Sequence, residues 1–346
     1  MKAGVLYGVN DIRYTDFDDP VCGENDVIIK VKACGICGSD YPRILKKWKY
    51  NLPAIPGHEF SGVIVAKGEK AQNVNMGDRV VAVPLVSCNR CDNCLAGNFS
   101  LCDNYKMLGA DLYGGFAEYV RVPSTNVIKI GNIDFESAAM IEPLAVALHG
   151  ILGIKPNIGD TVAVMGSGTL GQLVMQWLKI GGIYNIIAVD ISTDKLNKAK
   201  SLGAKACINA KEKDPVEEIS KLTREKGVDI TFECAGSTVT QEQSLLVTRK
   251  KGKVSYLGIA YSDILLSEKA FESIFRKELT LKGFWNSYSA PFPGQEWYRS
   301  IDFLKNDLIN LESLISHRFE LSKIREAVDL VISEKEDYNK IMILPK

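Results

Sequence analysis

The sequence predicts an α/β protein of two domains, a β-rich unit and a doubly wound parallel sheet, on three observations. At 346 residues, 46% of them apolar, the chain exceeds one ordinary core and has ample material for two. From Val27 to about Val83, short β-rich runs alternate with Gly, Pro and Asp punctuation. From Gly159-Asp160 onward the pattern changes to apolar strands separated by helical stretches, six strands in all.

In the β-rich unit, strands are expected at Val27–Lys32, Gly62–Ala66 and Arg79–Val83, where β-branched residues gather between turn formers. The parallel sheet opens with strand Thr161–Met165 and a helix from about Thr169, then strand Ile186–Val189 and a helix from about Thr193. Ala206–Ile208 follows, with helix Val216–Glu225, strand Val228–Glu233 and a helix from about Thr238. Strand Lys253–Leu257, helix Glu268–Phe275 and strand Leu279–Gly283 complete the series. After Gly283 the alternation lapses into an aromatic loop, with helices near Tyr298–Asn306 and Ile324–Ile332. The pattern alone assigns that tail to neither domain.

Forty-two basic residues cancel forty-two acidic ones, so no polycationic field draws nucleic acid or an anionic membrane surface. No apolar run approaches the roughly 20 residues that span a bilayer. Met1 to Tyr7 runs at once into polar Asn10, Asp11 and Arg13, without the apolar core of a signal peptide. Nine cysteines, an odd count, argue against a disulfide framework and for a reducing compartment, the cytoplasm.

Four of those cysteines crowd together as Cys88-x2-Cys91-x2-Cys94-x7-Cys102. Two-residue spacers let thiolates converge on one ion, whereas disulfides between such neighbours are strained. A four-iron cluster is the competing reading, but its signature continues with a three-residue spacer and Cys-Pro, where this chain has seven residues and Asp103. A closed tetrahedral zinc site is therefore expected, stapling a lobe at about residues 86–104 that has little core of its own.

The first strand of the parallel series runs into Gly166-Ser167-Gly168-Thr169-Leu170-Gly171. In the strand-to-helix context this motif is a dinucleotide fingerprint. Gly166 permits the tight turn and Gly168 the approach of a pyrophosphate. Gly171 permits close helix–strand packing, while Thr169 and Leu170 open the anion-binding helix. Asp190 stands 24 residues after Gly166, at the end of the second strand. A carboxylate there accepts the ribose hydroxyls and repels a 2′-phosphate, which favours NAD over NADP. Lys195 is placed near the adenosine, or is a solvated helix lysine.

Of three histidines, His58 lies in Gly57-His58-Glu59, and Cys37 precedes it by 21 positions in Cys34-Gly35-Ile36-Cys37-Gly38-Ser39-Asp40. One Cys, one His and a carboxylate with room for water or substrate make the ligand set of a catalytic zinc. The spacing by itself leaves a non-metal role for His58 open.

In order along the chain come Gly57-His58-Glu59-Phe60-Ser61-Gly62, the four-cysteine lobe, Gly114-Gly115-Phe116-Ala117-Glu118-Tyr119, Glu142-Pro143 and the dinucleotide fingerprint. Together they resemble the zinc-dependent medium-chain alcohol and polyol dehydrogenases over essentially the full chain. Pro42-Arg43-Ile44, Arg276-Lys277-Glu278-Leu279 and Trp285-Asn286-Ser287-Tyr288 resemble the polyol-phosphate branch of that family. The resemblance implies a GroES-like β-rich catalytic domain, residues 1–150 and 284–346, around a Rossmann NAD-binding domain, residues 151–283. It implies two Zn2+ ions per chain and NAD, with a small-molecule polyol phosphate as substrate and a homodimer, or a tetramer, as the assembly.

Carried over by position, Cys37 and His58 bind the catalytic zinc, with Glu59 and Glu142 as candidate ligands that exchange as substrate or water enters. Asp40 orients His58, and Ser39 takes the first proton from a substrate hydroxyl whose carbon passes hydride to the nicotinamide. Many relatives continue the proton relay through a histidine where this chain has Pro42, so the exit path here uses another group. Arg43 stands where the dehydrogenases of uncharged polyols tend to carry a tyrosine, and it offers a phosphate a bidentate partner. Trp285 and Asn286 are expected against substrate hydroxyls. The rival readings are a sorbitol, vicinal-diol or L-threonine dehydrogenase of the same family, and a non-catalytic NAD-binding relative.

Overall fold

The computed structural model describes residues 1–333 and 337–345. The chain divides into two compact units, Met1–Glu142 with Tyr288–Lys346, and Pro143–Ser287. The expected limits were at 150 and 284. The first division falls inside the helix Ile141–Ile154, which begins in one unit and continues in the other.

The first unit is built on a seven-stranded sheet. Strands Ile315–Glu320, Lys340–Leu344, Asp26–Ile36, Glu59–Lys67, Arg79–Ala82 and Val127–Lys129 lie side by side, and Tyr119–Pro123 also pairs with Asp26–Ile36. All three strands expected from the β-rich runs are present, and Asp26–Ile36 is the long central one because it is buried almost throughout. Val27, Ile29 and Val31 alternate into a core with Phe60, Ile64, Val80 and Ile341. The tail after the aromatic loop joins this unit: Lys340–Leu344 runs antiparallel to Asp26–Ile36 with Ile341 opposite Ile36. A two-stranded ribbon, Leu85–Val86 with Lys106–Met107, frames the four-cysteine lobe.

The second unit carries six parallel strands in the spatial order Ala206–Asn209, Asn185–Asp190, Thr161–Met165, Val228–Glu233, Thr248–Tyr256 and Thr280–Gly283. Numbered along the chain this is 3-2-1-4-5-6, the doubly wound topology whose switch point lies between the first and fourth strands. The central strands are apolar and buried on both faces, as parallel strands under crossover helices must be. Side chains cap the helices. Ser192 accepts from Lys195 N, Asp214 from Val216 N ahead of Pro215, Ser237 from Thr240 N and Ser267 from Ala270 N. The helix expected over Val216–Glu225 stops at Leu222, because Arg224 and Glu225 turn to φ 52° and 63°, outside helical space. No helix of the described residues is long and apolar enough to cross a membrane.

Candidate active site

Two adjacent antiparallel strands deliver the candidate metal ligands. The register places Gly35 opposite Glu59, so the end of Asp26–Ile36 meets the start of Glu59–Lys67. Cys37 leaves the first strand there and His58 precedes the second. The ligand atoms of Cys37, His58 and Glu59 all lie within 4.8 Å of one another. A Cβ at Gly35 would collide with Glu59 Oε2, so a side chain there would displace that carboxylate.

Asp40 supports both of the first two ligands. Its Oδ2 accepts from Cys37 N at 3.0 Å, and its Oδ1 lies 3.3 Å from His58 Nδ1, an ion-pair separation without the alignment of a hydrogen bond. Burial opposes charge on both groups. Even so, Asp40 and Cys37 push the His58 pKa well above its usual value, and His58 with Arg43 holds that of Asp40 down. Ser39, 8% exposed, precedes the short helix Asp40–Leu45, and its Oγ lies 3.3 Å from Cys37 Sγ.

Sequence reasoning missed Lys340. Its Nζ contacts Glu59 Oε2 at 2.5 Å and donates to Ile36 O at 3.2 Å, with both side chains almost wholly buried. Burial works against the ammonium, but Glu59 and Cys37 raise its pKa. A lysine six residues before Lys346 gives no local signal of such a partner, which only the pairing of the last strand brings within reach. Glu142 enters on the first turn of its helix, 5% exposed. Burial, with Glu59 adding to it and His58 opposing, pushes the Glu142 pKa up to about 7. Of the two candidate carboxylates, Glu59 shares the mutual distances of Cys37 and His58, and Glu142 stands outside that set. Arg43 lies in the last turn of Asp40–Leu45, with its Nη1 buried.

These donors fit a metal ion. Glu59 Oε1 is buried with no hydrogen-bond partner among the described residues, an acceptor that a cation satisfies. Cysteine, histidine and carboxylate in three positions match a catalytic zinc with an open fourth.

The second cluster is Cys88, Cys91, Cys94 and Cys102, whose sulfurs also lie within 4.8 Å of one another. Cys88 Sγ and Cys94 Sγ are 4.0 Å apart, about twice the length of a disulfide. Cys91 caps the turn Asp92–Leu95, which carries Cys94, and Cys88 N points at Cys102 Sγ. The N–H of Arg90 draws the Cys88 pKa down to about 6, while burial pushes that of Cys94 up to about 12. Four thiols without an open position fit a closed structural zinc.

In the second unit, Gly166 takes φ 96° and Gly168 precedes the helix Thr169–Ile180, with Thr169 and Leu170 in its first turn. A Cβ at Gly168 would meet nothing within 4 Å, which leaves the backbone open to a ligand, whereas one at Gly171 would collide with Gly166 O. Asp190 ends its strand and clamps the turn: Oδ2 accepts from Ser167 N at 2.7 Å and Oδ1 from Ser192 N at 2.9 Å. Each oxygen keeps a lone pair for a ribose hydroxyl. Lys195 is half-buried in the first turn of Thr193–Ser201. Trp285 is 38% exposed, and Asn286 sits at φ 56° with Nδ2 buried and unpartnered among the described residues.

Comparison with known proteins gives the family. Residues 23–132 match the alcohol dehydrogenase GroES-like domain, and residues 169–306 the zinc-binding dehydrogenase family. The galactitol 1-phosphate 5-dehydrogenase of Escherichia coli K12 is 35% identical over 323 residues, 93% of each chain. The sorbitol dehydrogenase of Bacillus subtilis is 30% identical over 351 residues, covering 100% of this chain and 97% of its own. Among solved structures, galactitol-1-phosphate dehydrogenase from Escherichia coli superposes with a TM-score of 0.94 at 34% identity, over 100% of both chains. The 2R,3R-butanediol dehydrogenase of Bacillus subtilis does so at 0.88 and 30%, over 100% of this chain and 99% of its own. The chain belongs to the zinc-dependent medium-chain alcohol and polyol dehydrogenases, with their GroES-like and Rossmann domains.

Two outcomes follow from the metal donors. Zinc must displace protons from Cys94 and His58, whose pKa values are raised, so metal affinity rises with pH and is lost as pH falls. Brief chelation near neutral pH should remove about one zinc per chain, that of the open site, together with activity. Metal analysis that finds iron, or a single zinc released only on unfolding, contradicts the two-site assignment. Lys340→Met leaves Glu59 buried without its partner and should cost about 3–5 kcal/mol in the metal-free protein. Added zinc should recover part of that loss in a denaturation series. An equal loss with and without zinc would show that Glu59 does not face the metal.

Proposed function

We propose that the protein oxidises a secondary hydroxyl of galactitol 1-phosphate to give tagatose 6-phosphate, with NAD as the hydride acceptor. The observation that carries the reading is the likeness over the whole chain to the Escherichia coli galactitol 1-phosphate 5-dehydrogenase. When bound, zinc at the open site supplies Lewis acidity toward the substrate hydroxyl and NAD accepts the hydride.

The side chains hold and shape this reaction. Cys37, His58 and Glu59 bind the metal, Glu142 is the carboxylate that replaces a departing ligand, and Asp40 fixes the first two. The Ser39 hydroxyl, buried beside Cys37, accepts the substrate proton. Pro42 cannot pass that proton on, so it leaves through water or the cofactor ribose. Gly166, Gly168 and Gly171 seat the pyrophosphate, with Thr169 and Leu170 opening the helix behind it and Lys195 near the adenosine. Asp190 selects NAD. Arg43 supplies the guanidinium for the substrate phosphate, and Trp285 and Asn286 contact its hydroxyls. None of the nine cysteines of this protein is in a disulfide, which supports a cytoplasmic setting.

The assembly is a homodimer. Strand Thr280–Gly283 forms one edge of the parallel sheet and is exposed along its length, with Leu281, Phe271 and Phe275 exposed nearby. An unprotected edge of this kind is a template for a second copy. Sedimentation should find a dimer that Leu281→Lys weakens; a monomeric unmodified protein rules this out.

The direct test of the activity is a panel of polyols and polyol phosphates scored with NAD and with NADP. Galactitol 1-phosphate with NAD should lead. Arg43→Ala should lower kcat/KM for the phosphate by roughly 10- to 150-fold, the size of a lost charge-assisted hydrogen bond, and spare galactitol. Equal loss on both substrates would make Arg43 structural. If sorbitol or L-threonine outperforms the phosphate, the substrate belongs to one of those other branches.

A further inference from the structure

The fourth strand of the parallel sheet, Val228–Glu233, ends on a buried acid. Glu233 is 0% exposed and pairs in register with Met165 of the first strand and Tyr256 of the fifth. Its Oε1 accepts from Ala235 N and Gly236 N, each at 2.9 Å, and from Thr240 Oγ1 at 2.8 Å. Its Oε2 is buried with no partner among the described residues. One oxygen thus holds the chain at Ala235-Gly236 in a tight turn. It also ties that turn to the start of the helix Thr238–Val247, which Ser237 caps.

The turn lies against the dinucleotide fingerprint. A Cβ on Gly166 would come 2.7 Å from Ala235 Cβ and 2.8 Å from Ala235 N. Cys234 N donates to Met165 O at 2.8 Å, one residue before that glycine. From the fifth strand's end, Leu257 N and Gly258 N donate to Glu233 O, and a Cβ on Gly258 would collide with Gly236 N and with Glu233 Oε2. Glu233 therefore stands where the turns after the first, fourth and fifth strands meet. The first two of these turns border the switch point, where a doubly wound sheet binds its ligand.

Packing alone does not call for an acid here. A buried carboxyl group is costly, and an apolar side chain would fill the strand end without that cost. What the carboxyl group adds is the fixed position of two backbone N–H groups beside Gly166. Asp190, ending the strand on the other side of Thr161–Met165, does the same for Ser167 N. The two acids flank the fingerprint.

We infer that Glu233 is a positioning residue for the dinucleotide: it presets the turn Ala235-Gly236 against Gly166, and so the crevice between the first and fourth strands. The inference rests on the reading of residues 166–171 as the dinucleotide-binding turn.

The test is NADH binding, followed by the fluorescence of the bound dinucleotide in protein of unchanged zinc content. Glu233→Leu removes the acceptor and should weaken NADH about 10-fold, raising KM for NAD without lowering kcat at saturation. Glu233→Gln keeps an oxygen for the same donors and should bind NADH within about threefold of the unmodified protein. Thr240→Val removes a single donor and should weaken NADH about two- to fourfold. It carries the test with Glu233→Gln if Glu233→Leu does not fold. Added to Glu233→Leu, Thr240→Val should weaken binding no further, because its acceptor has gone. Variants that lose thermal stability with NADH affinity unchanged overturn the inference, as does a Glu233→Gln protein as weak as Glu233→Leu. If the unmodified protein binds no NADH, the dinucleotide reading of residues 166–171 falls and takes this inference with it. Tight NADH binding shared equally by all the variants removes this inference alone.

Discussion

Asp40, His58, Glu59 and Lys340 share one patch of the first unit, and each is at most 3% exposed. Taking that many ionisable groups out of water is costly unless their charges are compensated in place. Most of the local architecture serves that requirement. The Gly35–Glu59 register brings two strand ends together, the last strand brings in Lys340, and Asp40 bonds the Cys37 peptide while facing His58. A metal cation would complete this balance, since Glu59 Oε1 has no donor among the described residues. The same neutralisation that lets the fold close therefore also builds a pre-organised site, with its ligands on strand ends and not on a free loop.

The four-cysteine lobe solves a different problem. Of its four sulfurs only those of Cys94 and Cys102 belong to buried residues, and the segment between Cys88 and Cys102 holds two short turns and no strand. A segment with so little core suits one that a bound metal would order, and Ser100 ties it to the Tyr288 backbone. In the second unit the constraint is steric. Gly171 lets its helix lie against the turn of Gly166, Gly168 leaves the ligand face clear, and Asp190 locks the turn through Ser167 N before any cofactor arrives.

Much of this was legible in the sequence because its signals are local. Strand and helix periodicity located all six parallel strands, and thiol spacing identified the closed cluster. The dinucleotide turn was recognisable from three glycines and an acidic residue at the right distance. One helix was read too long, because nothing in its composition announces that Arg224 and Glu225 adopt left-handed conformations. What stayed hidden depends on contacts across the chain. The partner of Glu59 is 281 residues away and that of Ser100 is 188 away. A lysine near a terminus and a serine among cysteines look solvated until the register is known. The choice between Glu59 and Glu142 was equally invisible, since both carry the same chemistry and differ only in which strand or helix end presents them.

The central claim is that one chain holds two chemically distinct metal centres, one closed by sulfur and one open with a single thiolate, a histidine and a carboxylate. Zinc X-ray absorption on the protein before and after removal of its labile metal tests this most directly. The account predicts a mixed shell of sulfur and nitrogen or oxygen neighbours that becomes all sulfur once the labile metal has gone. A shell that is all sulfur from the start, or one that keeps its nitrogen and oxygen neighbours after that removal, would contradict it.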